Sequence, residues 1–404
     1  MQNGARYQAI LELLSEIFKD EKPADGIIND YLRARRYIGS KDRRFITETV
    51  WEIIRSRLKL EFDARSREPR QLLLYYARDC LGEVFDGSPY APAPLTEAER
   101  QNLLSSREEP YPDYVEAECP QWLFAKIKNM ELCKALNRPA PADFRINFTS
   151  REEALQRLSG EGIEAAPTPF SPLGIRINGR ISVGNCMAYQ DGMIEVQDEA
   201  SQLAAILCDV RPEHKIMDYC CGAGGKSLTL AHLLNNKGHI LAHDINVKRL
   251  EAIKPRLARL GVKNIELTDI VADSDREFDR FIIDAPCTGT GTWRRAPDGK
   301  YRLSPGLLKG INRTQSELLE IGALKTKSGG RLIYITCSIL PDEDELMIDA
   351  FLVEHPEFYP LNMAELWERK IGCAYPHHSE KYLKMSPLST GTDGFFIAVL
   401  EKKA

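Results

Sequence analysis

The stretch His214-Lys-Ile-Met-Asp-Tyr-Cys-Cys-Gly-Ala-Gly-Gly-Lys-Ser227 sets an apolar strand against a glycine-rich loop, and the amphipathic run Leu228–Leu234 follows it at once. Strand, glycine loop and helix in that order form the ligand-binding turn of an open α/β sheet. The glycines let backbone approach a ligand, and the helix start presents unpaired N–H groups. A phosphate-gripping Walker loop requires glycine five residues before Gly225, but Cys220 stands there. The three spaced glycines of a dinucleotide fingerprint are not met either. A nucleoside ligand without a required pyrophosphate remains, and Asp244, 22 residues after Gly222 at the end of the next strand, stands where an acid binds ribose hydroxyls. S-adenosylmethionine fits that description; a plain tight turn is the alternative.

Outward from this loop, apolar runs alternate with helical patterns: His214–Cys220, Gly238–His243, Asn264–Thr268, Arg280–Asp284 and Arg331–Thr336, with a last strand at Gly394–Leu400. Such alternation predicts a parallel sheet with helices on its faces. Two of these strands run straight into cysteines, in Phe281-Ile-Ile-Asp-Ala-Pro-Cys287-Thr-Gly-Thr-Gly and Arg331-Leu-Ile-Tyr-Ile-Thr-Cys337-Ser. Neighbouring strands lie about 4.8 Å apart, so both thiols would reach one cluster of substrate atoms. Such a pair suits covalent catalysis on an electrophilic ring. Core packing, a disulfide or a redox dithiol are the alternatives.

The amino-terminal part has a different period. Ala9, Ile10, Leu13, Leu14 and Ile17 recur at helical spacing, as do Ile46, Val50, Ile53, Ile54 and Leu58, and Leu72–Leu81 repeats the pattern. A helical domain is predicted over residues 1–138, with a loop at the proline-rich Gly87–Pro94. Phe144-Arg-Ile-Asn-Phe, a short helix at Glu152–Leu158 and turn-separated strands predict a small α+β subdomain over 139–194, and the α/β domain takes 195–404.

At 404 residues, 43% hydrophobic and 28% charged, the chain has the size and composition of a multidomain globular protein. No apolar run approaches the roughly 18 residues of a membrane span, and the first residues lack a secretory signal, so a cytoplasmic location without membrane attachment is expected. Ten cysteines with no Cys-x-x-Cys fit neither a disulfide framework nor a common zinc pattern; reduced thiols, no metal and a monomer are expected. The net charge of −5 hides a segregation: residues 31–70 carry twelve Lys/Arg against six acids, +6, leaving −11 elsewhere. A second basic run, Arg294, Arg295, Lys300, Arg302, Lys309 and Arg313, follows Cys287. Such faces suit an RNA backbone or are solvated helix surface. Trp293 and Tyr301 are candidates for stacking on bases or for core packing.

Taken together, Gln197-Asp-Glu-Ala-Ser-Gln, Asp218-Tyr-Cys-Cys-Gly-Ala-Gly-Gly-Lys, His243-Asp-Ile-Asn, Asp284-Ala-Pro-Cys-Thr-Gly-Thr-Gly with Arg294-Arg-Ala-Pro-Asp, Thr336-Cys-Ser and Gly391-Thr-Asp-Gly-Phe-Phe resemble the ordered motifs of the RsmB/Nop/Sun family of RNA cytosine-5 methyltransferases. They cover residues 195–404. The insert resembles the family's RNA-facing subdomain, and the helical region is similar to the NusB-like domain of the RsmB branch, which modifies 16S rRNA. One departure is Ala223, where the family usually has proline.

The resemblance implies a Rossmann-like, S-adenosylmethionine-dependent domain. It further implies that Cys337 attacks C6 of cytosine, that Cys287 removes the C5 proton, and that Asp284 holds the N3/N4 edge of the base. The loop Cys220, Cys221, Gly222, Ala223, Gly224, Gly225 and Lys226, with Asp244, Arg249, Asp269 and Asp284, is implied to bind the cofactor. Reaching C5 requires the base out of its stack, so a single-stranded or looped RNA, 16S rRNA by resemblance, is the expected partner. Transfer RNA as substrate and a non-catalytic RNA-binding factor are the competing functions.

Overall fold

The computed structural model describes residues 1–20, 22–104, 109–179, 181–269 and 277–404. The chain forms two compact units: Met1–Pro139 with Thr292–Leu303, and Ala140–Gly291 with Ser304–Ala404. Among the described residues no helix is long and apolar enough to cross a membrane.

The first unit is helical, with helices at Asn3–Ile17, Ala24–Ala34, Ser40–Arg55, Arg57–Ala64 and Pro69–Tyr76. Their apolar stripes meet in one core containing Ile10, Leu13, Leu14, Ile46, Val50, Ile53, Ile54, Leu72 and Leu73. The periodic run toward Leu58 is broken at Ser56, between two helices. The Glu118 carboxylate there takes the Leu58 and Lys59 N–H groups at 2.9 and 3.0 Å, supplying the new helix start with the acceptor it lacks.

Thr292–Leu303 belongs to this helical core, a join absent from a linear division at residues 138 and 194. The Lys300 ammonium is buried and donates to Glu118 O at 2.5 Å and Asn137 Oδ1 at 2.9 Å. Arg55 donates to Arg294 O at 2.7 Å, and Asp298 accepts from Ala24 N at 3.0 Å. The Arg57 guanidinium lies 4.6 Å from the Tyr301 ring centre. Burial pulls Lys300 down to about 8 and pushes Glu118 up to about 7.

The second unit carries two sheets. The smaller is antiparallel, from β1 (Ala142–Ile146), β2 (Ala165–Pro167), β3 (Gly174–Ile177) and β4 (Ile194–Val196) in the order β2-β3-β1-β4. Its helix Arg151–Gly160 starts at a Ser150/Glu153 capping box. The larger sheet comprises β5 (Lys215–Asp218), β6 (His239–His243), β7 (Ile265–Thr268), β8 (Phe278–Asp284), β9 (Thr326–Thr336), β10 (Phe358–Pro360), β11 (Leu383–Met385) and β12 (Phe395–Lys402). Its order is β10-β12-β9-β8-β5-β6-β7, with β11 also pairing β12.

Strands β5 to β9 are parallel, and β12 runs antiparallel to β9. Both faces of the centre are covered: Ile333 and Ile335 enter a core with Leu228 and Trp367, while Leu332 and Tyr334 enter another with Phe281 and Phe396. Burial on both faces explains why these strands read as unbroken apolar runs. From β5 the chain proceeds outward through β6 and β7, then returns to the other side of β5 as β8. The carboxyl ends of β5 and β8 therefore flank the switch point, where an open α/β sheet leaves a crevice.

Candidate active site at the switch point of the sheet

Four loops converge on this crevice. β5 leads into the glycine loop, in which Gly222 and Gly224 have φ of +55° and +79°. At Gly224 an added Cβ would lie 3.1 Å from Ile253, so this position requires glycine both for its conformation and for the close approach of the next helix. The helix Gly225–Leu233 follows, and its Ser227 hydroxyl donates to Asp218 Oδ2. Asp218 is fully enclosed; burial pushes its carboxyl up to about 7, against the Ser227 hydrogen bond.

β6 ends at Asp244, whose Oδ2 accepts from Gly222 N at 3.0 Å and Oδ1 from Asn246 N at 2.7 Å. Arg249 reaches the same carboxylate at 3.7 Å. The neighbouring Ile245 is 90% exposed. Asp269 lies exposed just beyond β7, before residues 270–276, which are outside the described residues.

β8 ends at Asp284, and Lys226 Nζ pairs with its Oδ2 at 2.7 Å. Burial alone would lower the Lys226 ammonium, but the Asp284 charge and hydrogen bond override it and leave the ammonium raised. Two loops on, Cys287 Sγ and Cys337 Sγ lie 3.3 Å apart, a thiol hydrogen bond and not a disulfide. The pairing of Asp284 with Ile335 in the β8–β9 ladder brings the two loops level. The loops then lock together: Gly291 N donates to Cys337 O at 2.9 Å, and Gly394 N to Gly291 O at 2.9 Å. A Cβ at Gly291 would lie 2.1 Å from Gly394 O, so the crossing is passable only to glycine. The Cys337 hydrogen bond, then burial, push the Cys287 thiol well up.

Cys220, Cys221, Gly222, Ala223, Gly224, Gly225, Lys226, Asp244, Arg249, Asp284, Cys287 and Cys337 thus line neighbouring strand ends. Burial pushes both Cys220 and Cys221 thiols well up. Trp293 is 2% exposed, which excludes it as a base-stacking platform, and Tyr301 is partly buried and packs against the helical core. In the second basic run Arg294 and Lys300 are buried, whereas Arg295, Arg302, Lys309 and Arg313 are exposed, Arg302 in a pair with Asp298.

Three groups are less visible in the sequence. Arg145, in β1, is fully buried and donates to Gln197 Oε1 at 3.0 Å; the same oxygen accepts from Thr229 at 2.8 Å, which ties the small sheet to the helix after the glycine loop. Asp218 lies in an otherwise apolar strand. Glu343 sits within the acidic run Asp342-Glu-Asp-Glu345, which reads as solvated surface, yet it is fully buried between the two cysteine loops.

The profile of 16S rRNA methyltransferase RsmB/F matches residues 205–401, and that of the RsmF/B-like ferredoxin-like domain matches 119–184. The chain is 34% identical over 299 residues to ribosomal RNA small subunit methyltransferase B of Yersinia pseudotuberculosis serotype O:1b, and 30% identical over 300 residues to the probable ribosomal RNA small subunit methyltransferase B of Bacillus subtilis. Each alignment covers 70% of this chain and 66% of the relative. Among solved structures, the crystal structure of PH0851 superposes with a TM-score of 0.76 at 25% identity, covering 99% of both chains. The chain belongs to the RsmB/F methyltransferase family.

Proposed function

We propose that the chain transfers a methyl group from S-adenosylmethionine to C5 of a cytosine in small-subunit rRNA. The observation that carries this reading is the reduced thiol pair at 3.3 Å beside the Asp284 carboxylate, at the switch point of the sheet. The residues present suit the cofactor. Asp244 keeps its carboxylate at the end of β6 for a ribose diol, and Ile245 offers an exposed apolar surface for a purine face. Above Gly222 an added Cβ would meet nothing within 4 Å, so the loop leaves open space. When bound, S-adenosylmethionine supplies an electrophilic methyl group.

The chain's own groups do the rest. Cys337 Sγ bonds to C6 of the extruded base, which makes C5 nucleophilic. Asp284, anchored by Lys226, accepts from the N3/N4 edge and stabilises the proton that N3 takes from water on attack and gives back to water when the C6–S bond breaks. Once Cys337 is bonded to carbon it no longer presents a negative sulfur to its neighbour. Cys287 then releases its proton to water, takes the proton from C5 after methylation, and the C6–S bond breaks to return Cys337 as thiolate. Family membership and the names of the 34% and 30% identical relatives support rRNA as substrate.

The test is incubation of the protein with 16S rRNA and S-adenosylmethionine, followed by bisulfite sequencing. One protected cytosine is expected. Methyl incorporation at any atom other than cytosine C5 would refute the chemistry.

A further inference from the structure

Beside the thiol pair lies a buried carboxylate that this chemistry leaves without a task. Glu343 Oε1 accepts from Thr288 N at 2.8 Å and Gln315 Nε2 at 3.1 Å, and Oε2 accepts from Thr288 Oγ1 and Ser338 Oγ, both at 2.5 Å. Thr288 directly follows Cys287 and Ser338 directly follows Cys337, so a single side chain grips both loops one residue beyond each thiol. Gln315 also donates to Pro286 O at 3.0 Å, on the other side of Cys287. Thr290 closes the ring, 3.1 Å from Ser338 Oγ and accepting from Ile339 N at 3.0 Å. All four donors to the carboxylate are neutral, so they solvate its charge without cancelling it.

Glu343 is held mainly from the Cys287 side, by Thr288 N, Thr288 Oγ1 and Gln315, which also grips Pro286 O. The charge of Glu343 adds to the Cys337 hydrogen bond and burial in raising the Cys287 thiol, and the buried Tyr334 hydroxyl donates to Glu343 O at 2.8 Å. Lys226, held by Asp284 at 2.7 Å, is an ammonium that the charge of Cys337 helps to keep raised. A carboxylate acting on Cys287 and an ammonium coupled to Cys337 polarise the pair.

We propose that Glu343 is a positioning residue that clamps the Cys287 and Cys337 loops together and, through its charge, keeps the proton of the thiol pair on Cys287, so that Cys337 carries the thiolate. This rests on the covalent role assigned to the pair above. A mere tether would be satisfied by any side chain that fills the same hydrogen bonds, whereas the charge is specific to a carboxylate.

Alkylation by iodoacetamide, followed cysteine by cysteine in peptide mass spectra between pH 6 and 10, separates the two accounts without RNA or cofactor. In the wild-type protein Cys337 is expected to react before Cys287 as the pH rises. Glu343→Gln keeps the size and polarity but removes the charge; it should speed Cys287 alkylation about tenfold near pH 8 while leaving Cys337 little changed. Glu343→Asp keeps the charge and should leave Cys287 slow. An unchanged Cys287 profile in Glu343→Gln, or an equal rise in the Asp and Gln variants, overturns the assignment. If Glu343→Gln does not fold, the order in the wild-type protein decides: Cys287 reacting before Cys337 overturns it equally. Methylation of 16S rRNA by the wild-type protein, assayed in parallel, reports on the proposed function alone.

Discussion

Lys226 and Asp284 form an unequal ion pair: their charged atoms are 2.7 Å apart, but the lysine side chain is 7% exposed and the aspartate 31%. The cost of breaking the pair depends on which charge is left behind. Asp284→Ala strands an enclosed ammonium and should destabilise the catalytic unit by roughly 3 kcal/mol. Lys226→Met leaves a carboxylate that water already reaches and should cost about 1 kcal/mol or less. Urea unfolding of the two variants measures the difference, and the reverse order would show that Asp284 is not what holds Lys226 charged.

Asp244 serves the glycine loop and, in the proposed function, the ribose. Asp244→Ala should weaken S-adenosylmethionine binding by about 1 to 3 kcal/mol, because it removes the acceptor of a diol and frees Gly222 N. Asp244→Asn retains one acceptor oxygen and should lose less. Titration calorimetry with both variants checks this, and wild-type affinity in the alanine variant would remove Asp244 from the cofactor site.

The two thiols should fail differently although they touch. Without Cys337 no C6 adduct forms and C5 is too weak a nucleophile, so Cys337→Ala should abolish methyl transfer. Cys287→Ala should permit attack and methylation but not proton removal, so a covalent protein–RNA complex should accumulate when cofactor is present. Denaturing electrophoresis with labelled RNA reads the outcome. A retarded band that requires Cys287 and survives loss of Cys337 would reverse the two roles.

His232 joins the small sheet to the catalytic core by a pH-sensitive bond. Its Nδ1 accepts from Phe148 N at 2.9 Å, and burial pulls the imidazole from 6.5 down to about 4. The folded state therefore holds the neutral ring while the unfolded chain protonates below 6.5, so stability is full above that pH and falls as pH drops toward 4. The full loss is about 3 kcal/mol. His232→Gln supplies a non-titrating acceptor and should flatten this part of the pH profile relative to wild type. An identical slope in both proteins would place the titration elsewhere.

What the sequence disclosed and what it hid follow from the range of the interactions. Strands such as Arg331–Thr336 are legible because burial on both faces forces an unbroken apolar run, and the cofactor loop because its conformation demands glycine. The edge strands Phe358–Pro360 and Leu383–Met385 are too short to show a period. Lys300 reads as one of a basic surface run, but it bonds to Glu118 O, 182 residues away, and no local pattern separates a buried ammonium from a solvated one. Glu343 hid for the same reason, as one acid among four.

The helical unit's +6 segment is also not one continuous face. Arg55 bonds to Asn137 O, Arg57 pairs with Glu61, Lys59 with Glu116 and Arg70 with Glu99, whereas Arg33, Arg36, Lys41 and Arg44 are exposed beside an exposed Tyr37, Arg33 and Arg44 in surface pairs with Asp30 and Glu48. Deleting residues 1–138 would strip the partners of Arg294 and Lys300 as well as the charge, so it cannot isolate RNA docking. Replacing Arg33, Arg36, Lys41 and Arg44 together by Gln leaves the helical core untouched. If these four meet phosphates, the slope of log affinity against log salt should fall by about 3, at about 0.7 per single-strand contact, with cofactor binding unchanged. An unchanged slope would take RNA docking off this helix pair.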